Sequence, residues 1–195
     1  MSVLIIAGGP SRPSASSVLV SHLWGLLEGL GSDTRGIALR DIPADDLIGT
    51  RHCSNAARII SAKVEAARAV IISTPVLKSS LGGGVKALLD LLPDDAFAGK
   101  IVLPVATGNS YEQLLALEYG LKPVLSALGA RHILAGIYAV DEEIVFDGDD
   151  IQIADAVQVR LAEAIEDLIQ FDPPTLPRGP VLAAPGQVWR SGCCS

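Results

Sequence analysis

Aromatic rings are scarce in this chain: three Phe, three Tyr and two Trp make up 4% of 195 residues. A site built from stacked rings has little material to work with. Cysteine is nearly absent as well. Cys53 stands alone and Cys193 and Cys194 are adjacent, so the even, spaced framework that staples secreted domains is missing. Basic charge is in deficit, with 15 Lys and Arg against 22 Asp and Glu and a formal net charge of −7, which disfavours a nucleic-acid partner. No apolar run is long enough to cross a bilayer, and the short run at 3–6 lacks the basic residue that precedes the core of a secretory leader. The expectation is a cytoplasmic protein with no membrane partner.

What remains is largely apolar, 49% hydrophobic against 19% charged, enough for one well-cored domain. Short β-branched runs at 3–7, 34–39, 69–73, 101–106 and 133–140 read as strands covered on both faces, because they are apolar without clean alternation. Between them, Val18, Leu19, Leu23, Leu26, Leu27 and Leu30 have the three-and-four spacing of a core-facing helix, and Val157, Leu161, Ile165, Leu168 and Ile169 repeat it. Segments 55–67, 84–92 and 112–128 supply further helices. This alternation predicts an α/β, three-layer, doubly wound domain with a five-stranded parallel sheet in the flavodoxin-like order 2-1-3-4-5. From Asp172 the prolines at 173, 174, 177, 180 and 185 forbid a continuing helix. The chain thus reads as a domain over 1–171 and a tail over 172–195, mobile or docked on a partner, that carries Trp189.

Segment 112–128 contains an internal flaw. Pro123 has no N–H to give the carbonyl one turn back at Tyr119, and Gly120 lies between them. A proline kink or a π-bulge near Tyr119 follows, and π-bulges recur at functional sites.

Ligands of an open parallel sheet bind beyond the carboxyl ends of the strands where strand order reverses, here between the first and third strands. The loop after the first strand reads Gly8-Gly9-Pro10-Ser11-Arg12-Pro13-Ser14-Ala15-Ser16-Ser17 and runs into a helix. Hydroxyls, the Arg12 charge and the N–H groups of a helix start make a phosphate cradle. The plainer alternative is a Gly/Pro turn with Ser16 as N-cap. Neither Gly-Lys-Ser/Thr nor G-x-G-x-x-G is present. The loop after the third strand, Thr74-Pro75-Val76-Leu77-Lys78-Ser79-Ser80-Leu81-Gly82-Gly83-Gly84, is glycine-rich and bare of rings; the loop after the fourth reads Thr107-Gly108-Asn109-Ser110. Three such loops at one sheet end suit a single planar, phosphorylated ligand.

Side chains for acid, base or nucleophilic chemistry are not assembled. His22, His52 and His132 are scattered, no metal spacing exists, and no G-x-S-x-G elbow is found. Cys53 reads as a small buried apolar group, and the acidic runs 141–143 and 147–150 read as solvated loop without the rest of a calcium site. Such a chain suits chemistry carried by a cofactor, for example hydride transfer between nicotinamide and flavin.

Several segments, in order and with spacing kept, carry a resemblance: 8–17; Thr74-Pro75-Val76-Leu77-Lys78; Gly83-x-x-Lys86 with Leu88-Leu89-Asp90-Leu91-Leu92-Pro93; 99–108; and Glu118-Tyr119-x-Leu121-Lys122-Pro123 running on to Leu128. From about residue 3 to 168 the chain resembles the NAD(P)H-dependent FMN reductases, especially the flavin reductases of two-component alkanesulfonate monooxygenase systems. The resemblance implies reduction of FMN by NADPH or NADH and delivery of reduced FMN to an FMNH2-dependent monooxygenase in sulfur assimilation. It implies a homodimer or homotetramer, with Tyr119 in a π-helical insertion at the oligomer interface, modulating flavin transfer rather than acting as acid or base. FMN-binding residues would be Arg12, Ser14, Ser16 and Ser17 at the phosphate and Thr74, Pro75, Val76, Leu77, Lys78, Thr107, Gly108 and Asn109 at the ring, with Gly83 allowing close packing. The chain departs from the usual Gly-Ser-x-Arg-x-x-Ser at its phosphate loop, from Tyr at Leu77 and Leu81, and from Gly at Asn109. An FMN-retaining quinone or azo-dye reductase and a non-enzymatic flavodoxin-type electron carrier share these features and stay open on the residues alone.

Overall fold

The computed structural model describes residues 1–9, 14–147 and 150–171. Arg12 and the tail over 172–195, with Trp189, Cys193 and Cys194, lie outside the described residues.

The elements are β1 (Ser2–Ala7), α1 (Ala15–Gly29), β2 (Asp33–Ala38), the short α2 (Ala44–Ile48), α3 (Asn55–Ala66), β3 (Ala69–Leu77), β4 (Ser80–Leu81), α4 (Gly83–Leu89), β5 (Ile101–Gly108), a π-helix (Leu117–Leu121) leading into α5 (Lys122–Ala127), β6 (His132–Ile133), β7 (Ile137–Val140), β8 (Ile144–Asp147), β9 (Asp150–Ile153) and α6 (Asp155–Gln170). The parallel sheet runs β2-β1-β3-β5, and both β6 and β7 pair with β5. The fifth strand of the expected 2-1-3-4-5 order is thus present but split in two.

Alternation along each strand divides the core. Val3 and Ile5, with Ala69 and Ile71, pack under Leu19, Leu23 and Leu27 of α1 and Leu161 and Ile165 of α6. Leu4 and Ile6, with Val70 and Ile72, face Ile60 and Val64 of α3, Leu88 and Leu89 of α4 and Leu125 of α5. Every residue of β5 is buried, which explains its unbroken apolar run.

Five expectations are corrected. Thr107 and Gly108, expected in a loop, are the last residues of β5 and pair with Ala139 and Val140 of β7. Residues 74–77 belong to β3 rather than to a loop: Val76 and Leu77 pair with Leu81 and Ser80, and Lys78 and Ser79 make the turn with φ of 52° and 59°. The acidic run at 141–143 is a 3₁₀ turn that leads into the β8–β9 hairpin, and Glu143 within it is engaged rather than solvated. The N-cap of α1 is Ser14, not Ser16. Cys53 is exposed.

Segment 112–128 is broken as its Gly and Pro foretell. The Lys122 N–H reaches the Leu117 carbonyl five residues back, so one extra residue enters the turn before α5, whose second residue is Pro123. Tyr119, at the bulge, is 80% exposed. A Cβ on neighbouring Gly120 would sit 3.5 Å from Leu81 Cδ2, which places the bulge against the β3–β4 hairpin.

Candidate functional site

At the end of β1 the chain turns at Gly8, whose N–H donates to the Ser73 carbonyl of β3 at 2.7 Å. The Ser14 side chain then caps α1. Ser14 Oγ accepts from the Ser17 N–H (3.2 Å), while Ser17 Oγ accepts from the Ser14 N–H (3.0 Å) and donates to the Ser14 carbonyl (2.8 Å). Ser16 is buried, and its Oγ lies 3.3 Å from Ser14 Oγ. These hydroxyls therefore organise the helix start first. The Ala15 and Ser16 N–H groups stand in the first turn, where no acceptor exists inside the helix, and the helix dipole adds partial positive charge there.

Sequence reasoning passed over Ser73. It shares the α1 side of β3 with Ala69 and Ile71, is wholly buried, and its Oγ has no hydrogen-bond partner among the described residues. It sits level with Ala7 at the crevice between β1 and β3. A buried hydroxyl without a partner costs about 1–3 kcal/mol, which an acceptor brought by a ligand would recover.

On the opposite face of β3, the buried Thr74 Oγ1 donates to the Pro75 carbonyl (3.0 Å) and accepts from the Gly82 N–H (3.1 Å), closing the hairpin onto the start of α4. Leu77 is 54% exposed beside the turn. A Cβ on Gly83 would meet nothing within 4 Å, whereas one on Gly84 would strike Leu39 Cδ2 at 2.5 Å, so of the two it is Gly84 that neighbouring protein atoms hold tightly.

Pro75 is in register with Thr107 of β5, so the second and third loops leave the sheet at the same level. Thr107 is buried and Asn109 exposed; the Asn109 N–H donates to Gln113 Oε1 at 3.4 Å. Beneath this loop the Tyr138 hydroxyl donates to the Ser110 carbonyl at 2.7 Å. Burial, then the nearby Asp141 and Glu112 charges, pushes the Tyr138 phenol up in pKa. The Tyr111 phenol is also raised, chiefly by its hydrogen bond to Glu143. Val76, Ala106, Leu117, Tyr138 and Val140 form the apolar floor shared by β3, β5, the π-helix and β7.

A cleft of about 290 Å³ between α1 and the edge strand β2, walled by Trp24, Gly36 and Arg40, lies on the far side of β1, and Arg40 there stands 3.7 Å from Asp41. The three loops at the β1/β3 crevice are the better candidate. Among the described residues no group of His, Cys, Asp and Glu could hold a metal, and no helix is long and apolar enough to cross a membrane.

Known proteins resemble the chain over most of its length. The chain is 41% identical over 186 residues to an FMN reductase (NADPH) of Pseudomonas putida, covering 95% of this chain and 93% of that one. It is 40% identical over 166 residues to an FMN reductase (NADPH) of Escherichia coli, covering 85% and 87%. The solved structure of an NADH:FMN oxidoreductase in its apo form superimposes with a TM-score of 0.79 at 32% identity, covering 94% of this chain and 99% of that one. Residues 1–144, from β1 through the start of β8 and so including all three loops, match the family described as NADPH-dependent FMN reductase, and the chain belongs to that family.

Proposed function

We propose that the chain reduces FMN with NADPH or NADH and passes reduced FMN to a monooxygenase that cleaves organic sulfonates, working as a homodimer or homotetramer. When bound, FMN supplies the two-electron acceptor and the reduced nicotinamide the donor. The chain's own part is to bind, orient and release. The carrying observation is the buried Ser73 hydroxyl, without a partner among the described residues, level with Ala7 at the end of β1, together with the free N–H groups at the start of α1, donors that fit a phosphate monoester. In this reading the Ala15 and Ser16 N–H groups, with Ser14, Ser16, Ser17 and Arg12, hold the phosphate. Thr74, Pro75, Val76, Leu77, Lys78, Gly83, Thr107, Gly108 and Asn109 line the ring.

The shortage of aromatic side chains supports release over retention. Leu77 offers an aliphatic surface, and a flavin gripped by its phosphate but lightly held by its ring can leave. In this reading Tyr119, exposed on the π-helix beside the hairpin, governs that release through contact with another copy of the chain. Tyr119→Ala is expected to keep FMN through purification and to change oligomer size in sedimentation.

Steady-state oxidation of NADPH and NADH with FMN, FAD and riboflavin tests the reading. Turnover with FMN exceeding that with riboflavin locates recognition at the phosphate. No turnover with FMN and either nicotinamide would overturn the proposal, and retention of FMN after reduction in the presence of a trap protein favours a quinone reductase instead.

A further inference from the structure

Five residues on four separate elements close a circuit around the loop after β5. The Glu143 carboxylate, only 15% exposed, accepts from the Tyr111 hydroxyl (2.8 Å) and from Arg160 Nη2 (3.0 Å) through Oε1, and from the Val140 N–H (2.9 Å) through Oε2. Arg160 Nη1 donates onward to the Tyr138 carbonyl (2.8 Å), and its Nε donates to the Ala156 carbonyl (3.1 Å). The Tyr138 hydroxyl reaches the Ser110 carbonyl (2.7 Å), and Ser110 is bonded to Tyr111, which completes the ring.

This is not an ordinary surface ion pair, whose contribution is small. Both carboxylate oxygens are occupied and the carboxylate is only 15% exposed, although Arg160 is 39% and Tyr111 57% exposed, and each bond to the ionised carboxylate is charge-assisted. The loop needs that support. Asn109 and Ser110 stand between the end of β5 at Gly108 and Tyr111, Asn109 is exposed, and its N–H has only a long contact to Gln113. Ordering such a segment at the moment of binding would cost about 1–2 kcal/mol per residue, and a circuit that orders it beforehand removes that cost from the binding step.

We infer that Glu143 is a positioning residue for flavin binding: through Tyr111 and Arg160 it holds the segment from Asn109 to Tyr111, where the chain leaves β5, in its binding shape. The inference rests on the FMN reading above. Glu143 touches no reacting atom, so its effect falls on flavin affinity rather than on the rate of reduction.

The test is a set of FMN titrations by flavin fluorescence, with KM, kcat and thermal midpoints, on Glu143→Ala, Glu143→Gln, Tyr111→Phe and the Glu143→Ala/Tyr111→Phe double variant. Losing a charge-assisted bond to the loop is expected to weaken FMN binding about tenfold in Glu143→Ala and about threefold in Tyr111→Phe. The KM for FMN should rise in parallel, with kcat and the KM for NADPH changing less than about twofold. Because Tyr111 transmits the effect, the double variant should bind FMN about as weakly as Glu143→Ala alone, and Glu143→Gln should recover part of the loss. Tyr111→Phe removes one exposed hydroxyl and carries the test by itself if Glu143→Ala does not fold. Unchanged FMN affinity in both single variants overturns the inference, as does a fully multiplicative double variant or a loss confined to thermal midpoint. A wild-type chain that binds FMN but shows no nicotinamide turnover overturns the reductase reading and leaves the titrations to decide the loop.

Discussion

The Tyr138 hydroxyl lies beneath Gly108, so near that a methyl group at position 108 would collide with it, and Gln113 Oε1 would be 2.6 Å from that methyl. The glycine is required by what sits beneath the loop. Gly108→Ala is expected to push the loop off Tyr138 and raise the FMN dissociation constant by about tenfold, at a stability cost of about 1–3 kcal/mol. Adding Tyr138→Phe removes the clashing oxygen, so the double variant should bind FMN more tightly than Gly108→Ala alone. Equal affinities in flavin titrations would show that the hydroxyl is not the obstacle.

Gly8 is constrained differently. A Cβ there would collide with the Val85 side chain and lie 2.5 Å from the Ser73 carbonyl oxygen, the acceptor of the Gly8 N–H. Backbone does not yield as a side-chain tip does. Gly8→Ala should lower the urea midpoint by the equivalent of about 1–3 kcal/mol, and Val85→Ala in the same chain should fail to restore it. Restoration would mean that Val85 alone sets the constraint.

The layers were legible in the sequence because local patterns encode them: apolar runs at 3–7 and 101–106 and the helical spacing from Val157 to Leu168 each report burial without distant partners. The π-helix was legible for the same reason, since Gly120 and Pro123 lie within the turn they disrupt. The β3–β4 hairpin was not. Its second strand has two residues, and its turn uses Lys78 and Ser79 in the left-handed region without the Asn or Gly that signals such a turn. Glu143 was hidden more deeply, because it stands in an acidic run and its partners Tyr111 and Arg160 are 32 and 17 residues away. The orphan Ser73 hydroxyl gives no sequence signal at all; only its burial shows it.

Acid should act on Asp141 in a direction set by its environment. Desolvation raises its carboxyl above the ordinary aspartate value of 3.8. With the folded-state value above the unfolded one, the ionised carboxylate costs stability at neutral pH. That cost fades as pH falls through the raised value and is gone below 3.8, where both states are protonated. Asp141→Asn should therefore be more stable than the wild type at neutral pH, and the gap should close in acid. Urea midpoints of both proteins measured down through the acid range check this; a gap independent of pH would assign the difference to something other than ionisation.

Leu77 offers a direct test of whether ring scarcity sets flavin retention. Its side chain is exposed at the end of β3, next to the turn at Lys78 and Ser79, so a larger residue meets solvent rather than packed core. Leu77→Tyr should leave the unfolding free energy within about 0.5 kcal/mol of the wild type, as for surface substitutions. A ring against a flavin adds about 0.5–1.5 kcal/mol beyond area burial, which tightens FMN roughly two- to tenfold. Tighter binding of the product slows its departure. Under multiple turnover with a trap for reduced FMN the variant should show lower kcat, while a single turnover of NADPH against bound FMN keeps its rate. Tighter binding with undiminished release would separate affinity from exit and leave the π-helix at Tyr119, rather than the bare ring surface at Leu77, as the element that controls when the flavin goes.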